Sequence, residues 1–280
     1  MKIGSYQVDV LRCGEFWLDG GAMFGVVPRV VWERLMPPDA SNRIRLQTNC
    51  LLIRGEGVAI LMDTGVGDKE NDLFHERFRV ERGPGVPGAL QEVGLTPEDI
   101  THVVISHLHW DHAGGATRRD GHGKLVPTFP RARYVVQRGE WKDAVTPSDR
   151  TSASYMPDNF MPLQQADCLQ LVDGETEIAP GVSVFLAPGH NRHMQCLRVE
   201  SAGDTGVFLA DLVPTRHHLR LAFIMGYDLY PATTLETKRE LLGSIHAGGW
   251  FLFFDHDPEV PVVTLDRNER GHYVAVPVTC

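Results

Sequence analysis

Apolar residues in this 280-residue chain fall into short runs typical of strands and into longer stretches with helical spacing. Short runs of β-branched and aromatic residues, bounded by glycine or polar clusters, predict strands. The predicted strands cover residues 6–12, 50–54, 58–62, 102–105, 132–137, 168–172, 182–187, 195–200, 207–210 and 250–254. The runs 50–54 and 58–62 are joined by a Gly-Glu-Gly tripeptide, which favours a hairpin.

Helical spacing predicts helices over residues 30–35, 71–80, 89–93, 138–144 and about 235–246. Thr233 or Thr234 is expected to cap the last of these, and Gly248 and Gly249 to end it. Residues 146–165 are polar and contain prolines, so we expect a long connection over the surface between two halves, about 1–160 and 166–280. The pattern predicts one α/β domain over residues 1–280, with two packed sheets and helices outside them.

Residues 14–28 combine four glycines with five large apolar side chains before the predicted helix at 30–35. This composition predicts a flexible, apolar loop. Such a loop either folds back into the core or lines a pocket, and periodicity does not decide between the two.

The composition narrows the classes of function. A hydrophobic fraction of 42% and a charged fraction of 22% are typical of a folded globular protein. The formal net charge is -9 and Lys and Arg form no run, which argues against a nucleic-acid partner. We expect no signal peptide, no transmembrane helix and no membrane partner. The five cysteines are widely spaced, which favours reduced thiols and a cytoplasmic protein.

The densest cluster of reactive side chains directly follows the predicted strand 102–105. His107, His109, Asp111 and His112 lie within six residues. In an extended segment residues two apart point the same way, so His107 and His109 can reach one ion together. The turn at Ala113 would aim Asp111 and His112 at a neighbouring position. Imidazoles and carboxylates are common ligands of zinc and similar ions, so the run predicts two half-sites for a metal pair.

Three more ligand-type residues stand directly after predicted strands. His190 follows strand 182–187, Asp211 follows strand 207–210, and His256 follows strand 250–254. A rigid scaffold can present such side chains into one cleft. Singly each favours an ordinary loop residue, but with the run at 107–112 they supply the seven ligands that two ions require. Asp63 also follows a strand, where a turn residue and a carboxylate that orients an imidazole are equally good interpretations.

These residues together resemble the metallo-β-lactamase superfamily. The resemblance covers nearly the whole chain in the right order, and it is carried by Asp63-Thr64-Gly65, the run from His107 to His112, Pro188-Gly189-His190, Leu209-Ala210-Asp211, and His256. It implies an αββα sandwich of two mixed sheets flanked by helices. It also implies that His107, His109 and His190 hold a first metal ion, that Asp111, His112 and His256 hold a second, and that Asp211 bridges them.

Within that superfamily the chain is most similar to quorum-quenching lactonases and their organophosphate-hydrolase relatives. Three segments carry this likeness, namely residues 19–28, 210–217 and 227–231. Two departures stand out. Relatives often have Gly-His at the positions of His193 and Met194, and some lactonases have a tyrosine where this chain has Pro214. The turn after His190 is therefore expected to differ in shape, and Tyr227 becomes the candidate for an assisting phenol.

The resemblance implies a hydrolase in which a hydroxide between two divalent ions attacks a carbonyl carbon. Zinc is the favoured ion, and manganese, cobalt and iron also suit the ligands. Asp111 is expected to act as both ligand and proton shuttle. Tyr227 either donates a hydrogen bond to the developing oxyanion or simply packs. The residues expected to wall the substrate pocket, for which plain core packing is an equal interpretation in most cases, are Phe16, Met23, Phe24, His193, Phe223, Ile224 and Met225.

The favoured substrates are N-acyl-homoserine lactones, since apolar walls suit an acyl chain. A phosphotriesterase or aryl esterase with the same site is the main alternative. A β-lactamase is a weaker one, because superfamily members with that activity are usually exported. A structural metal protein without catalysis would need only four ligands in a closed site. Small-molecule lactones or esters are the expected partners, and a homodimer is compatible with the apolar segment 16–27.

Overall fold

The computed structural model describes residues 1–278. Its strands are, in chain order, β1 (Lys2–Ile3), β2 (Tyr6–Asp19), β3 (Arg43–Gly55), β4 (Val58–Met62), β5 (His102–Val104), β6 (Thr117–Arg119), β7 (Leu125–Pro127), β8 (Arg133–Gln137), β9 (Leu169–Val172), β10 (Thr176–Ala179), β11 (Val182–Leu186), β12 (Gln195–Ser201), β13 (Asp204–Phe208), β14 (Phe251–Phe253), β15 (Val262–Arg267) and β16 (Tyr273–Pro277).

The helices are α1 (Gly20–Phe24), α2 (Arg29–Trp32), α3 (Asp72–Phe78), α4 (Gly85–Glu92), α5 (Trp110–Ala113), α6 (Arg138–Val145), α7 (Met161–Gln165) and α8 (Pro231–Gly248). Short 3-10 turns cover Pro97–Asp99, Gly114–Ala116, Pro157–Asn159, Ala210–Leu212 and Arg216–Leu219. Thr96 caps the first of these turns through a reciprocal pair of bonds with Asp99. Over the described residues, the model contains no helix that has both the length and the apolar character to span a bilayer.

Two seven-stranded sheets dominate the structure. The first has the spatial order β1-β2-β3-β4-β5-β8-β9, and the second has the order β10-β11-β12-β13-β14-β15-β16. Both sheets are mixed, because β4, β5, β8 and β9 pair in parallel within the first, and β13 pairs in parallel with β14 within the second. The chain therefore passes from one sheet to the other between Val172 and Thr176. Helices flank the two mixed sheets, which is the expected αββα sandwich.

Burial explains why these runs form strands. One apolar core joins the inner faces of both sheets and includes Ile53, Val104, Val199 and Phe253. A second core lies between the first sheet and its helices and includes Leu52, Val103 and Trp141. Neighbouring residues such as Leu52 and Ile53 thus face different cores, as the period of two in a strand requires. Strands buried on both faces carry continuous apolar runs, which is why the sequence reveals them.

The structure differs from the sequence-based expectations in several places, of which three concern predicted elements. Strand β2 continues to Asp19 and α1 follows directly, where the sequence predicts a loop over 14–28, because β2 pairs with β3 along its whole length around a bulge at Arg12/Gly14. The predicted connection 146–165 contains α7. Helix α8 begins at Pro231, because proline is favoured at the first helical position.

The cysteines fit the prediction of reduced thiols within the described chain. Cys13, Cys50 and Cys196 are buried, Cys168 is partly buried, and all four are free. The expectation of a further free thiol at Cys280 lies outside the described residues.

Candidate metal centre

The candidate ligands converge at one edge of the sandwich, where several strands end. His107 to His112 follow β5, His190 follows β11, Asp211 follows β13, and His256 follows β14. Segments far apart in sequence meet here because β5 and β4 run parallel in one sheet, as β13 and β14 do in the other. The scaffold therefore presents these side chains from strand ends, as the sequence predicts.

Four of these side chains form what we call the first group: His107, His109, His190 and Asp211. One donor atom from each lies within 4.8 Å of every other. Nε2 of His107 lies 3.0 Å from Nδ1 of His109, and Nε2 of His190 lies 3.1 Å from the same atom. Three imidazole nitrogens thus converge on one small volume beside a carboxylate, which is the chemistry of a divalent metal position.

A second group comprises His112, Asp211, Asp255 and His256, again with donor atoms within 4.8 Å of one another. Asp211 belongs to both groups, so the two positions adjoin. Nε2 of His112 lies 3.3 Å from Nε2 of His256. Asp111 approaches the same pair of nitrogens, at 3.9 Å from His112 and 3.7 Å from His256. Asp255 was absent from the sequence-based ligand set, although it directly precedes His256.

The outer nitrogens of three histidines explain how the inner ones are aimed. Nδ1 of His190 lies 3.0 Å from a carboxylate oxygen of Asp228, and Nδ1 of His112 lies 2.9 Å from Asp63. Nδ1 of His256 lies 3.0 Å from the carbonyl oxygen of Gln47. In each neutral imidazole Nδ1 donates its proton outward, so the lone pair of Nε2 points inward. Lone pairs that face each other at these distances fit a cation between them.

Asp63 sits at the base of the second group. Its carboxylate accepts hydrogen bonds from the Ser106 amide at 2.7 Å and the Ser106 hydroxyl at 2.8 Å, besides facing His112. Its backbone is left-handed, with φ of 60°. Asp63 is thus a turn residue whose carboxylate also faces an imidazole. The two interpretations offered by the sequence do not exclude each other. Asp228 plays the corresponding part for His190, and sequence reasoning missed it because Asp228 lies 38 residues further along the chain.

Backbone conformation adds to the precision of the centre. Ala210, directly before Asp211, is also left-handed, with φ of 47°. A non-glycine residue in this region costs about 1–3 kcal/mol and persists where packing enforces it. Gly114 is required for another reason, because a Cβ there would lie 1.9 Å from the carbonyl oxygen of Val66. That close approach lets α5, with Asp111 and His112, pack directly on the loop after β4.

A buried polar network supports the first group, and sequence reasoning missed it. Glu140 of α6 accepts hydrogen bonds from the Leu108 amide and the Tyr155 hydroxyl, both at 2.9 Å. The side-chain amide of Asn191 donates to the same carboxylate at 3.3 Å. These bonds fix the backbone on either side of His109 and next to His190. An acidic residue on a short helix gave no indication of this role in the sequence.

Electrostatics match metal binding. Burial, together with the neighbouring imidazoles, holds the pKa of His107 and of His109 well below the usual value, so both are neutral donors at neutral pH. Burial opposes ionisation of Asp211, but His190 and His112 outweigh it and lower its pKa, which keeps the carboxylate charged. Burial also acts to lower the pKa of His256, but Asp255 and Asp211 raise it to about 9. The centre thus favours bound positive charge. A divalent ion and protons would compete for the same donor atoms.

A cavity of about 310 Å³ opens onto this centre. Its walls include the candidate ligands His109, Asp111, His190, Asp211 and His256. Apolar and aromatic side chains form much of the remainder, namely Leu18, Met23, Phe78, Trp110, Met225, Tyr227 and Leu229. Clefts of this size that combine apolar walls with a few convergent polar groups are typical small-molecule sites.

The structure brings Met23, Met225 and Tyr227 to the cavity, and it places the other expected wall residues elsewhere. Phe16 is buried behind it, with its ring 5.4 Å from that of Trp110 and 5.2 Å from that of His256. Phe24 stacks on Trp32 and His218, with Phe223 against its edge, and partly buried Ile224 does not line the cavity. His193 faces Asp143 of α6 at 3.0 Å, away from the cavity. Neither the hydrophobic period nor the composition of a segment shows which of its apolar residues face the cavity.

Comparison with known proteins agrees with this geometry. The family model of the metallo-beta-lactamase superfamily matches residues 43–256. N-acyl homoserine lactonase AiiA of Bacillus thuringiensis subsp. kurstaki is 27% identical over 228 residues, which are 77% of this chain and 83% of that protein.

Two solved structures are similar over the whole chain. A probable metal-dependent hydrolase from Staphylococcus aureus superposes with a TM-score of 0.90 at 28% identity, covering 100% of both chains. AidC, a dizinc quorum-quenching lactonase in complex with a product, superposes with a TM-score of 0.83 at 20% identity, covering 100% of this chain and 97% of that one. The second likeness concerns the fold alone.

The family match spans most of the chain and includes every candidate ligand, from His107 through Asp211 to His256. The fold has the two mixed sheets and outer helices of that family, and the donor groups lie where its strands end. The chain therefore belongs to the metallo-beta-lactamase superfamily and is a metal-dependent hydrolase.

Proposed function

We propose that this hydrolase is a dinuclear lactonase that opens the ester bond of N-acyl-homoserine lactones. The observation that carries the proposal is that two donor groups share Asp211 and open together onto one largely apolar cavity. The named activities of AiiA and AidC support the same substrate class. A closed structural metal site would instead have four ligands and no access.

In the proposed centre, His107, His109 and His190 would hold one ion, Asp111, His112 and His256 would hold the other, and Asp211 would contribute to both positions. The donor set of imidazoles and carboxylates suits zinc. When bound, such ions lower the pKa of a shared water to near neutrality and polarise a carbonyl oxygen. The chain's own part is to aim His112, His190 and His256, through Asp63, Asp228 and the carbonyl of Gln47 respectively.

Asp111 is the proposed proton carrier for the leaving alkoxide. It is buried against the imidazoles, yet it forms part of the cavity wall, so its carboxylate reaches both the centre and a bound substrate. Burial raises its pKa, which brings the protonated form closer to working pH. A carboxyl group that lies between the centre and the cavity is placed to pass a proton to the leaving group, as general acid–base catalysis requires.

Tyr227 is the proposed hydrogen-bond donor to the substrate carbonyl. Its side chain lines the cavity, and the residue remains 39% exposed. Burial of the phenol, together with Asp19, raises its pKa to about 12, so the hydroxyl keeps its proton at neutral pH. A donor fixed beside a developing oxyanion stabilises the transition state more than the ground state.

The shape of the cavity favours an acyl substrate. Met23, Met225, Leu18 and Leu229 supply flexible apolar surface on the walls, while the ligands form a polar floor. Burying each CH₂ of an acyl chain against such walls contributes about 0.8 kcal/mol. We therefore expect the lactone ring to lie at the floor and the chain to extend along the walls.

For assembly, we propose a homodimer that buries the apolar surface next to the cavity. Val26, between α1 and α2, is 92% exposed, and Val30, within α2, is 63% exposed. Sedimentation velocity across a range of concentrations tests this, and a mass of one chain throughout would contradict it.

Activity assays on metal-loaded protein test the function directly. Acid release is measured from acyl-homoserine lactones of several chain lengths and from simple lactones, and alcohol release from aryl esters and phosphotriesters. The proposal predicts the largest kcat/KM for acyl-homoserine lactones. Faster turnover of phosphotriesters or aryl esters would assign the centre to that chemistry instead, and bound metal without turnover of any of these would contradict catalysis. Metal analysis that finds less than one ion per chain would contradict the dinuclear centre.

A further inference from the structure

Asp255 carries a buried carboxylate that none of the roles above uses. It follows β14 and is only 2% exposed. Neither of its carboxylate oxygens has a hydrogen-bond partner among residues 1–278. A buried carboxylate without a hydrogen-bond partner is unfavourable, and a metal ion at this position would compensate it.

The backbone around Asp255 is held in place, so the direction of its side chain is defined. The Asn49 amide donates to the Asp255 carbonyl oxygen at 2.8 Å. The side-chain amide of Asn49 donates to the carbonyl oxygens of Phe254, at 3.1 Å, and Asp257, at 2.9 Å. Asn49 of β3, in the opposite sheet, thus fixes the backbone at the end of β14. The position of the Asp255 carboxylate follows from that backbone.

The carboxylate of Asp255 lies beside the inward nitrogen of a neighbouring imidazole, and both belong to the second group. Oδ2 of Asp255 lies 3.5 Å from Nε2 of His256. Nδ1 of His256 faces the carbonyl oxygen of Gln47 at 3.0 Å, and a carbonyl can only accept, so Nδ1 carries the proton. In the neutral imidazole Nε2 is therefore a lone pair that faces a carboxylate oxygen. His112 repeats this arrangement, with Nδ1 against Asp63 and Nε2 turned inward.

Asp111 and Asp255 meet this pair of imidazoles in different surroundings. Asp111 lines the substrate cavity, where its carboxylate is accessible to a leaving group. Asp255 lines a neighbouring void of about 10 Å³, together with Asp63, Asp111, His112 and His256, and is not among the walls of the larger cavity. That void is too small for a substrate, and its volume is close to what one water molecule or one ion occupies.

We propose that Asp255 is a further ligand of the second metal position, beside His112, His256 and Asp211. The proposal rests on the dinuclear function proposed above. A permanent carboxylate ligand away from the substrate would hold the ion while Asp111 exchanges between the ion and the leaving group. The centre then has three carboxylates for two divalent ions, which lowers the net positive charge left after binding.

The test compares metal binding by the wild type and by Asp255→Asn, which keeps the shape of the side chain and removes its charge. Both are loaded with zinc, dialysed against metal-free buffer, and analysed for metal per chain. We expect two ions in the wild type and about one in the variant, with affinity for the second ion reduced at least about tenfold. Asp228→Asn is the matched control, since it neutralises a carboxylate beside the first group and should spare the second ion.

Thermal unfolding with and without zinc gives a readout independent of activity. Zinc should raise the Tm of the wild type more than that of Asp255→Asn, because the variant lacks one ligand. A merely structural aspartate would lower the Tm by the same amount with and without zinc. If Asp255→Asn does not fold, Asp255→Glu loaded with cobalt carries the test, and we expect an altered visible spectrum from the second position.

The outcomes separate the two proposals. Two ions of wild-type affinity in a folded Asp255→Asn, or a cobalt spectrum of Asp255→Glu identical to the wild type, would overturn the role of Asp255 alone. A wild type that binds fewer than two ions would overturn the dinuclear centre and this role with it.

Discussion

The first and second groups share Asp211 but differ in their surroundings. Both groups reach the cavity, the first through His109 and His190 and the second through His256. Three imidazoles adjoin one carboxylate in the first group, whereas the second has two imidazoles and lies among Asp63, Asp111, Asp211 and Asp255. The second position is therefore the more acidic, and we expect it to hold an ion more firmly than the first. Each of the following predictions tests that division.

Asp211→Ala should have the largest effect, because it removes the one carboxylate common to both groups. We expect both ions to bind weakly and kcat/KM to fall roughly 10³-fold or more, equivalent to about 4 kcal/mol. Steady-state kinetics and metal analysis on the same preparation check this. Loss of only one ion, with the other retained at wild-type affinity, would show that the groups are independent.

Asp63→Asn and Asp228→Asn form a matched pair that separates the two positions. Asp63 faces Nδ1 of His112, and Asp228 faces Nδ1 of His190. Loss of such a carboxylate typically weakens metal affinity about 10–100-fold. We expect Asp63→Asn to weaken the second ion and Asp228→Asn the first, as measured by competition with a chromophoric chelator. Equal weakening of both ions by either variant would contradict separate positions.

Tyr227→Phe should reduce turnover without changing metal content. Loss of one hydrogen bond to a developing charge is expected to lower kcat roughly tenfold, or about 1.4 kcal/mol. KM should change less, because the bond strengthens in the transition state. An unchanged kcat with a raised KM would mean that Tyr227 only packs against the substrate.

The smallest expected effect is on stability and concerns His218, which holds the backbone of α1 at Met23 beside the cavity. Its Nε2 donates to the Met23 carbonyl at 2.9 Å, and the Thr215 hydroxyl lies 2.8 Å from its Nδ1. Burial lowers its pKa to about 3, against about 6.5 when unfolded. The unfolded chain therefore binds the proton first, so stability falls as pH drops from about 6.5 towards 3.

His218→Gln does not titrate and tests this pH dependence. Between pH 7 and pH 5, the Tm of metal-free wild type should fall more than that of the variant, by on the order of a few degrees. Parallel decreases in the two proteins would show that other groups determine the pH dependence. The comparison uses differences, so the titration of shared metal ligands cancels.

Much of the fold could be predicted from the sequence because its strands are buried on both faces. Runs such as 50–53 and 103–105 are continuously apolar, and this pattern has few alternatives. Strands near the edges, such as β10 and β16, were not predicted because their residues are partly exposed and mixed in polarity. The extension of β2 to Asp19 depends on pairing with β3, which no local pattern shows.

The sequence by itself determined seven of the candidate donors, since the spacing of His107, His109, Asp111 and His112 is local and strand ends mark the other three. Only the tertiary structure decided which donors share a position, which carboxylates lie behind them, and which apolar residues face the cavity. Asp228 reaches His190 and Glu140 reaches the backbone beside His109 across long stretches of chain. Such contacts arise from the packing of two sheets, and the residues adjacent in sequence do not predict them.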